Sequence, residues 1–255
     1  VTAETFREFG RSFARAPLPW LGMILLAAGS DYVDLIRTPA GSGFSDLQVI
    51  SLIVRFVGVF WLGAVLLRRL AETPANAWTL DGGIVFFIVW QLVIFVLEGV
   101  VGFMLSTAKN VSAEIIVVPV DPYVLTLIFI ALAVPIVDLL VLKIAPWVVA
   151  RTARTADTTF GKAWRAMRGQ WGDAARTYFV LVFPLFIVHY VLTAWLPRAH
   201  IDHLTRLECT IGDGIVSIVM LTMLLTLYSV CFKRAQPSAA QTSVPEGPAL
   251  VDPAL

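Results

Sequence analysis

Six stretches of the chain are apolar over about the 20 residues that a membrane-spanning helix requires. They cover residues 18–36, 48–67, 83–105, 123–149, 177–196 and 211–232. The first stretch is the least regular, because Asp31 and Asp34 interrupt its second half. A cleaved signal peptide is the alternative interpretation of that stretch, since basic residues precede it and small residues end its apolar run. The pattern predicts an all-α, polytopic membrane protein built as a bundle of about six transmembrane helices.

Two further segments, residues 1–16 and 150–173, have the 3.6-residue periodicity of amphipathic helices. In the first, Phe6, Phe9 and Phe13 form one stripe and three arginines form another. In the second, Phe160, Ala163, Trp164, Met167 and Trp171 face away from Lys162, Arg165 and Arg168. We expect two interfacial helices, and the basic face of the second, with Trp164 and Trp171, is predicted to meet anionic lipid headgroups. Such helices serve either as anchors or as docking surfaces for lipid or a partner.

Composition and charge support this organisation. Of the 255 residues, 58% are hydrophobic and 15% are charged, and the net charge is +1. This nearly excludes a soluble enzyme, a nucleic-acid-binding protein or a disulfide scaffold. Thirteen lysines and arginines fall in one set of connections and four in the other, which predicts that both termini are cytoplasmic. The domains are then residues 1–16, 17–149 (helices one to four), 150–173, 174–234 (helices five and six) and a disordered tail, 235–255.

The second amphipathic segment, T-F-G-K-A-W-R-A-M-R-G-Q-W, also carries a resemblance. With Thr159, Phe160, Ala163, Trp164, Arg165 and Trp171 feeding a span, the chain resembles poorly characterised bacterial inner-membrane proteins of the YciC-like type. It is also similar to the membrane domain that accompanies some glycerophosphodiester phosphodiesterases. The resemblance implies a bacterial inner-membrane protein, and it implies no catalytic residue.

Ionisable residues inside the predicted spans need a reason, because each costs about 2.5–3.5 kcal/mol at a helix centre. Asp31, Arg55, Glu98 and His189 each fall about 20–22 Å from the basic ends of their spans at 1.5 Å per residue. We expect these four residues to form an intramembrane charged layer in which Arg55 pairs with Glu98 or Asp31. If Arg55 takes Glu98, Asp31 and His189 are left to titrate. The layer is interpreted either as an ion pair that fixes packing or as a substrate or ion site.

A second intramembrane acid, Asp138, falls lower in the predicted fourth span, beyond Pro135. Catalytic motifs, cofactor-binding motifs and paired metal-ligand spacings are missing from the sequence. His200 and His203, with Asp202 and Glu208, form a cluster that is interpreted as a polar loop or, alternatively, as a zinc site.

Two functions follow as hypotheses. The first is a non-enzymatic scaffold or assembly factor that acts through contacts with lipid and with a membrane-protein partner or a second copy of the chain. It predicts that neutralising Lys162, Arg165 and Arg168 matters most. The second is a small-solute or proton-coupled transporter that uses the charged layer. A membrane-embedded enzyme is a third possibility and depends on the histidine cluster alone.

Overall fold

The computed structural model describes residues 1–37, 46–72, 76–113, 132, 134–155, 158–195 and 202–236, and the regular elements in these residues are all helical. The helices are α1 (Thr2–Arg15), α2 (Pro17–Arg37), α3 (Asp46–Leu70), α4 (Gly82–Ala113), α5 (134–142), α6 (Ala145–Ala153), α7 (Phe160–Ala166), α8 (Trp171–Thr177), α9 (Phe183–Trp195) and α10 (His203–Ala235). A single 3₁₀ turn, Met167–Gly169, follows α7, and a π-helical turn, Tyr178–Val182, joins α8 to α9. The predicted disordered tail lies outside the described residues, apart from its first two.

Four helical segments of the described residues are long and apolar enough to cross a membrane: Asp46–Leu70, Gly82–Val101, Trp171–Leu192 and Leu204–Ala235. They coincide with the second, third, fifth and sixth predicted spans. In α2 the described segment Pro17–Ser30 is apolar but shorter than these four. Residues 114–131 of the chain, which hold the start of the predicted fourth span, lie outside the described residues. Six spans therefore stay a prediction.

The predicted fourth span is not one continuous helix. α5 ends at residue 142, and α6 begins at Ala145 after a turn in which Lys143 N–H donates to the Leu140 carbonyl at 3.2 Å. The break follows from Pro146, which has no N–H and whose ring would clash with the carbonyl four residues earlier in a continuous helix. Pro146 stands instead in the first turn of α6, where its missing N–H is not needed.

α2 and α3 pack against each other through two reciprocal contacts. A Cβ atom on Gly22 would lie 2.7 Å from Leu62 Cδ1, and one on Gly58 would lie 2.6 Å from Leu26 Cδ1. On each helix, a leucine side chain from the other helix packs against a glycine, and this lets the two backbones approach closely. α10 packs against α2 as well, so that α2, α3 and α10 form the centre of the core.

The basic end of the bundle is the end at which α3 and α10 finish and α4 begins. Here α1 is tied to both helix ends by ion pairs: Arg15 Nη1 lies 2.9 Å and Lys233 Nζ 3.0 Å from Glu72 Oε1, and Arg234 Nη2 lies 2.7 Å from Glu4 Oε2. The hydrogen bond from Lys233 holds the pKa of Glu72 below its ordinary value. These pairs are solvent-exposed, so each contributes at most about 1 kcal/mol.

α1 turns a polar stripe towards the bundle. Thr5 and Ser12 are fully buried, while the rings of Phe6 and Phe13 are 63% and 47% exposed. Thr2 Oγ1 meets Thr177 Oγ1 of α8 at 2.8 Å. The exposed aromatic stripe is the one that the sequence assigns to the membrane interface.

Arg68, near the end of α3, is the largest fully buried side chain in the described residues. Its Nε donates to the Thr152 carbonyl of α6 at 2.8 Å, and Nη1 donates to the Thr79 carbonyl at 3.0 Å. Nη2 donates to the carboxylate of Asp81. A guanidinium stays charged in any protein environment, so these fixed acceptors are what makes its burial tolerable. One side chain thereby joins the end of α3, the end of α6 and the segment that opens α4.

Asp81 is also the N-cap of α4. Its Oδ1 accepts hydrogen bonds from the backbone N–H groups of Gly83 at 2.9 Å and Ile84 at 3.3 Å. Position 83 has to be glycine, because a Cβ there would lie 2.5 Å from the Thr152 carbonyl and 2.7 Å from Arg68 Nη2. From the sequence, Arg68 is one loop cation among thirteen and residues 80–83 are a turn that opens the third span, so the ion pair between Arg68 and Asp81 is a finding of the structure.

We expect Arg68→Met to lower the free energy of unfolding in detergent by about 3–5 kcal/mol, because it leaves Asp81 and the buried Thr152 carbonyl without their donor. The measurement is the thermal or denaturant midpoint of the purified protein. Arg69→Met is the matched control, since Arg69 is the exposed neighbour on the same helix turn. Equal loss in the two variants would contradict a special role for Arg68.

Acid should weaken the same centre. Burial raises the pKa of Asp81, but the hydrogen bonds from Arg68 and from the Gly83 and Ile84 amides outweigh it and hold the pKa below its ordinary value. The stability that Asp81 contributes is therefore complete above the ordinary pKa of aspartate and is lost as the pH falls through the lowered value. The difference in unfolding free energy between the wild type and Asp81→Asn should be full at neutral pH and shrink in acid. A pH-independent difference would contradict this, and the exposed Glu208→Gln serves as the control.

Candidate functional site

A cavity of about 250 Å³ lies between α3, α4, α5, α9 and α10. We call it the acidic cavity, because two carboxyl side chains, Glu98 of α4 and Asp138 of α5, line it together with His189 of α9. Gln91 and Tyr228 are its other polar neighbours. The rest of the wall is apolar and aromatic, and consists of Phe60, Ile94, Phe95, Val134, Val182, Phe186, Met220, Leu221 and Leu224.

A hydrogen bond from a buried tyrosine holds the side chain of Asp138 in position. Its carboxyl group is buried, and Tyr178 Oη donates a hydrogen bond to Asp138 Oδ2 at 2.7 Å. Tyr178 is itself fully buried and begins the π-helical turn between α8 and α9. One carboxylate oxygen is thus occupied by a neutral donor, which positions the group without neutralising its charge.

The π-helical turn has a local cause in Pro184. In a regular helix the ring of Pro184 would clash with the carbonyl of Val180, four residues earlier. Widening the turn over Tyr178–Val182 relieves that clash, and π-turns of this kind occur often at functional sites. Here the wide turn carries Tyr178, which holds Asp138, and Val182, which lines the cavity. The widened turn therefore shapes the site.

Glu98 and Asp138 face the cavity from opposite helices, and their charges repel each other. Lysine and arginine are absent from the lining that the described residues form. A pair of acids in an apolar cavity is stable only when a proton or a bound cation neutralises at least one of them. Within the described residues, no group of three or more metal-ligating side chains is present.

His189 reaches the cavity from the other end and has partners of its own. Its Nδ1 lies 2.8 Å from Asp213 Oδ1 and 3.0 Å from Ser217 Oγ, both on α10. Asp213 falls within the predicted sixth span, where its position in an apolar run was a signal that the sequence analysis left unused. The imidazole is thus oriented by α10 towards a cavity that two other helices supply with carboxyl groups.

The predicted charged layer is only partly assembled. Glu98 and His189 share the acidic cavity, and Asp138 joins them there, although counting along a straight helix places it lower. Arg55 lines a neighbouring cavity of about 260 Å³ that shares Phe60, Met220 and Leu221 with the acidic one. Among the ion pairs of the described residues none joins Arg55 to Glu98, and the pairing of Arg55 with Glu98 or Asp31 stays a prediction. Asp31 lies in α2, and its side chain is outside the described residues.

The basic segment that the sequence assigns to lipid is broken into short pieces. α7 ends at Ala166 and α8 begins at Trp171, with the 3₁₀ turn and Gly169, a poor helix former, between them. The cationic side chains of this segment are exposed, and these are Lys162, Arg165 and Arg168. The rings of Trp164 and Trp171 instead enclose Lys143, whose Nζ lies 4.6 and 5.3 Å from the two ring centroids. Trp171 Nε1 also donates to the Leu139 carbonyl at 3.2 Å, so this tryptophan packs against α5.

Of the residues that form the alternative zinc site, the structure describes the side chains of Asp202 and Glu208. His200 and the side chain of His203 lie outside the described residues. Asp202 is the N-cap of α10, where it accepts from Thr205 N–H at 2.9 Å and from Thr205 Oγ1 at 2.6 Å. The hydrogen bond from the Thr205 side chain holds the pKa of Asp202 below its ordinary value. A capping role accounts for this acid.

No protein-family model, curated protein or solved structure matches the chain. The resemblance to the YciC-like proteins and to the phosphodiesterase membrane domain therefore stays a prediction. The function has to be argued from the chemistry of the acidic cavity.

We expect Tyr178→Phe to lower the free energy of unfolding by about 1–3 kcal/mol, because it leaves a buried carboxylate oxygen of Asp138 without its donor. The change removes one oxygen atom and leaves the ring in the core. Tyr32→Phe, at an exposed ring of α2, is the matched control. Denaturant midpoints in detergent measure both, and equal midpoints for the two variants would count against the hydrogen bond.

Proposed function

We propose that the protein is a proton-coupled transporter of small organic cations and that the acidic cavity is its binding site. The observation that carries the proposal is the presence of Glu98 and Asp138 in one apolar cavity whose described lining holds no lysine or arginine. This is the transporter hypothesis of the sequence analysis, with Asp138 now beside Glu98 and with Arg55 in the adjacent cavity.

The residues that line the cavity favour the binding of a cationic solute. Two carboxylates attract positive charge, and the rings of Phe60, Phe95 and Phe186 offer faces on which an ammonium group binds by cation–π attraction. The volume of about 250 Å³ is at the small end for ligand sites, which favours a compact solute. An anionic solute would meet two like charges and is disfavoured.

Proton coupling follows from charge balance in the same cavity. When the solute is absent, a proton neutralises one of the two carboxyl groups. When the cation binds, that proton leaves to the adjoining water, and the net charge of the cavity stays unchanged. Return of the proton from the other side releases the solute, which gives exchange of one cation for one proton. His189 is placed to pass the proton, since imidazole both accepts and donates near neutral pH.

The proposal includes the setting inferred from the sequence. The chain is placed in a bacterial inner membrane with six spans, α2 and the segment containing α5 supplying the two beyond the four long apolar segments. The basic end then faces the cytoplasm, as the excess of arginine and lysine predicts. α1 and the α7 segment lie at that face and contact anionic headgroups.

The scaffold hypothesis is the second candidate and stays a prediction. It rests on the exposed cations Lys162, Arg165 and Arg168, which are placed where they can meet lipid or a partner. The geometry favours the transporter because exposed cations need no further explanation, whereas two acids in an apolar cavity do.

The test is exchange across proteoliposomes loaded with an acidic buffer and a pH-sensitive dye. Benzyltrimethylammonium is added outside, because its permanent charge prevents passive permeation. We expect internal alkalinisation in the wild type as protons leave in exchange for the cation. We expect Asp138→Asn and Glu98→Gln to reduce the initial rate about tenfold or more, because each removes a charge-assisted contact with the cation.

The matched controls are Asp173→Asn and Glu208→Gln, which make the same chemical changes at exposed acids outside the cavity. Both should exchange at the wild-type rate. Alkalinisation that needs no protein, or equal rates in the cavity variants and the controls, would contradict the proposal. Pull-down of a stoichiometric protein partner without any exchange would favour the scaffold instead.

A further inference from the structure

A second cavity, distinct from the acidic one, opens at the basic end where α4 begins and α6 ends. Its volume is about 680 Å³. We call it the arginine cavity, after Arg151 and Arg154, which line it beside Thr155, Thr158 and Thr159. Phe86 and Trp147 form its apolar wall. The proposed transport mechanism does not use this cavity.

The described residues that line the arginine cavity carry a net positive charge. In the described part of the chain, Arg151 is exposed and makes no ion pair, and Arg154 has one long contact, 3.5 Å from its Nη1 to Asp81 Oδ2. Asp81 already neutralises the buried Arg68. Arg68 and Arg154 thus share one carboxylate, and Arg151 adds a further positive charge to the lining of the cavity.

The backbone of Arg154 is held in an unfavourable conformation. Its φ and ψ of 53° and 30° lie in the left-handed region, at the C-cap of α6, where glycine is the usual residue. Glycine would adopt this conformation without strain, yet the residue here is arginine. The retained side chain is a guanidinium that lines the cavity.

A buried donor also points to a ligand. Thr155 Oγ1 is buried and has no hydrogen-bond partner among the described residues, although Thr155 lines the cavity. Buried hydroxyl groups are nearly always paired, and a phosphate oxygen in the cavity is one partner that would satisfy this one. Arginines together with hydroxyl donors are the groups that bind phosphate.

The apolar wall identifies the kind of phosphate compound. The rings of Phe86 and Trp147 meet edge to face with centroids 5.2 Å apart, and Trp90 continues the cluster along α4, 5.7 Å from Trp147. Val85 and Val89, one turn apart on the same helix, are half exposed beside it. A molecule whose phosphate enters the cavity thus finds an apolar path along a membrane-crossing helix, which suits an acyl chain.

We propose that the arginine cavity binds the headgroup phosphate of an anionic glycerophospholipid, with Arg151, Arg154 and Thr155 as donors and with an acyl chain lying along α4. A zwitterionic headgroup binds less well, because its cation faces the same arginines. A soluble phosphate ester has the same headgroup chemistry but leaves the apolar path empty.

The experiment is native mass spectrometry of the full chain released from detergent containing dioleoyl phosphatidylglycerol. We expect one retained lipid per chain and little retention of dioleoyl phosphatidylcholine. The double variant Arg151→Gln/Arg154→Gly should reduce occupancy about tenfold or more. Glycine at position 154 relieves the backbone strain, so an unchanged or raised melting temperature separates lost binding from lost folding.

Thr155→Val gives a second, independent readout. Because Thr155 Oγ1 has no partner in the protein, its removal should leave the melting temperature of the lipid-free chain unchanged or raised. Lipid occupancy should nevertheless fall about tenfold, as for one hydrogen bond to a charged acceptor. Arg69→Gln/Arg176→Gln is the matched control, since it removes the same two charges from exposed positions outside the cavity.

Four results would overturn the proposal. They are equal loss of lipid in the control pair, equal retention of phosphatidylcholine, competition by glycerol 3-phosphate at the concentration of the lipid, and wild-type binding in Thr155→Val. The first would reduce the effect to general charge attraction, and the third would make the ligand a soluble phosphate ester.

Discussion

The burial of Arg68 is the constraint on which the arrangement of the basic end depends. Its guanidinium cannot give up its charge, so the fold has to supply acceptors at fixed positions, and it takes them from α6, from the turn before α4 and from Asp81. Asp81 in turn caps α4, so the first turn of that helix is defined by the same charge. α4 carries Glu98 at its middle and Phe86 near its start, and both cavities therefore have one wall whose position Arg68 determines.

Interruptions of helices, rather than whole helices, create the acidic cavity. Pro146 separates α5 from α6, which gives α5 a direction independent of the helix that follows. Pro184 widens the turn before α9 and places Tyr178 opposite α5, where it meets Asp138. Straight helices through both prolines would not bring these two side chains together. The break before α6 also leaves Lys143 at a helix end, where its ammonium group makes cation–π contacts with the rings of Trp164 and Trp171.

Sequence reasoning predicts the helical, membrane-type fold well, because long apolar segments have few alternatives to a helix. It also identifies Glu98, Asp138 and His189, since ionisable groups in apolar segments stand out by their cost. It does not predict their partners. Depth counting assumes straight helices and places Asp138 away from Glu98, and pairing by charge leaves Arg55 with either Glu98 or Asp31. Arg68 is overlooked for a related reason: it ends an apolar run like any interfacial arginine, and only the fold shows that three segments close over it.

The reciprocal glycine–leucine contacts between α2 and α3 have a consequence for motion. Moving either helix along the other by one turn would bring Leu62 from Gly22 onto Leu18 or Leu26, and Leu26 from Gly58 onto Val54 or Leu62. Every such position presents a large side chain where a glycine is now, so sliding is blocked in both directions. α2 and α3 consequently move as a single rigid unit. In the proposed transporter, a change of access to the acidic cavity would then come from the opposite wall, where the π-helical turn precedes α9.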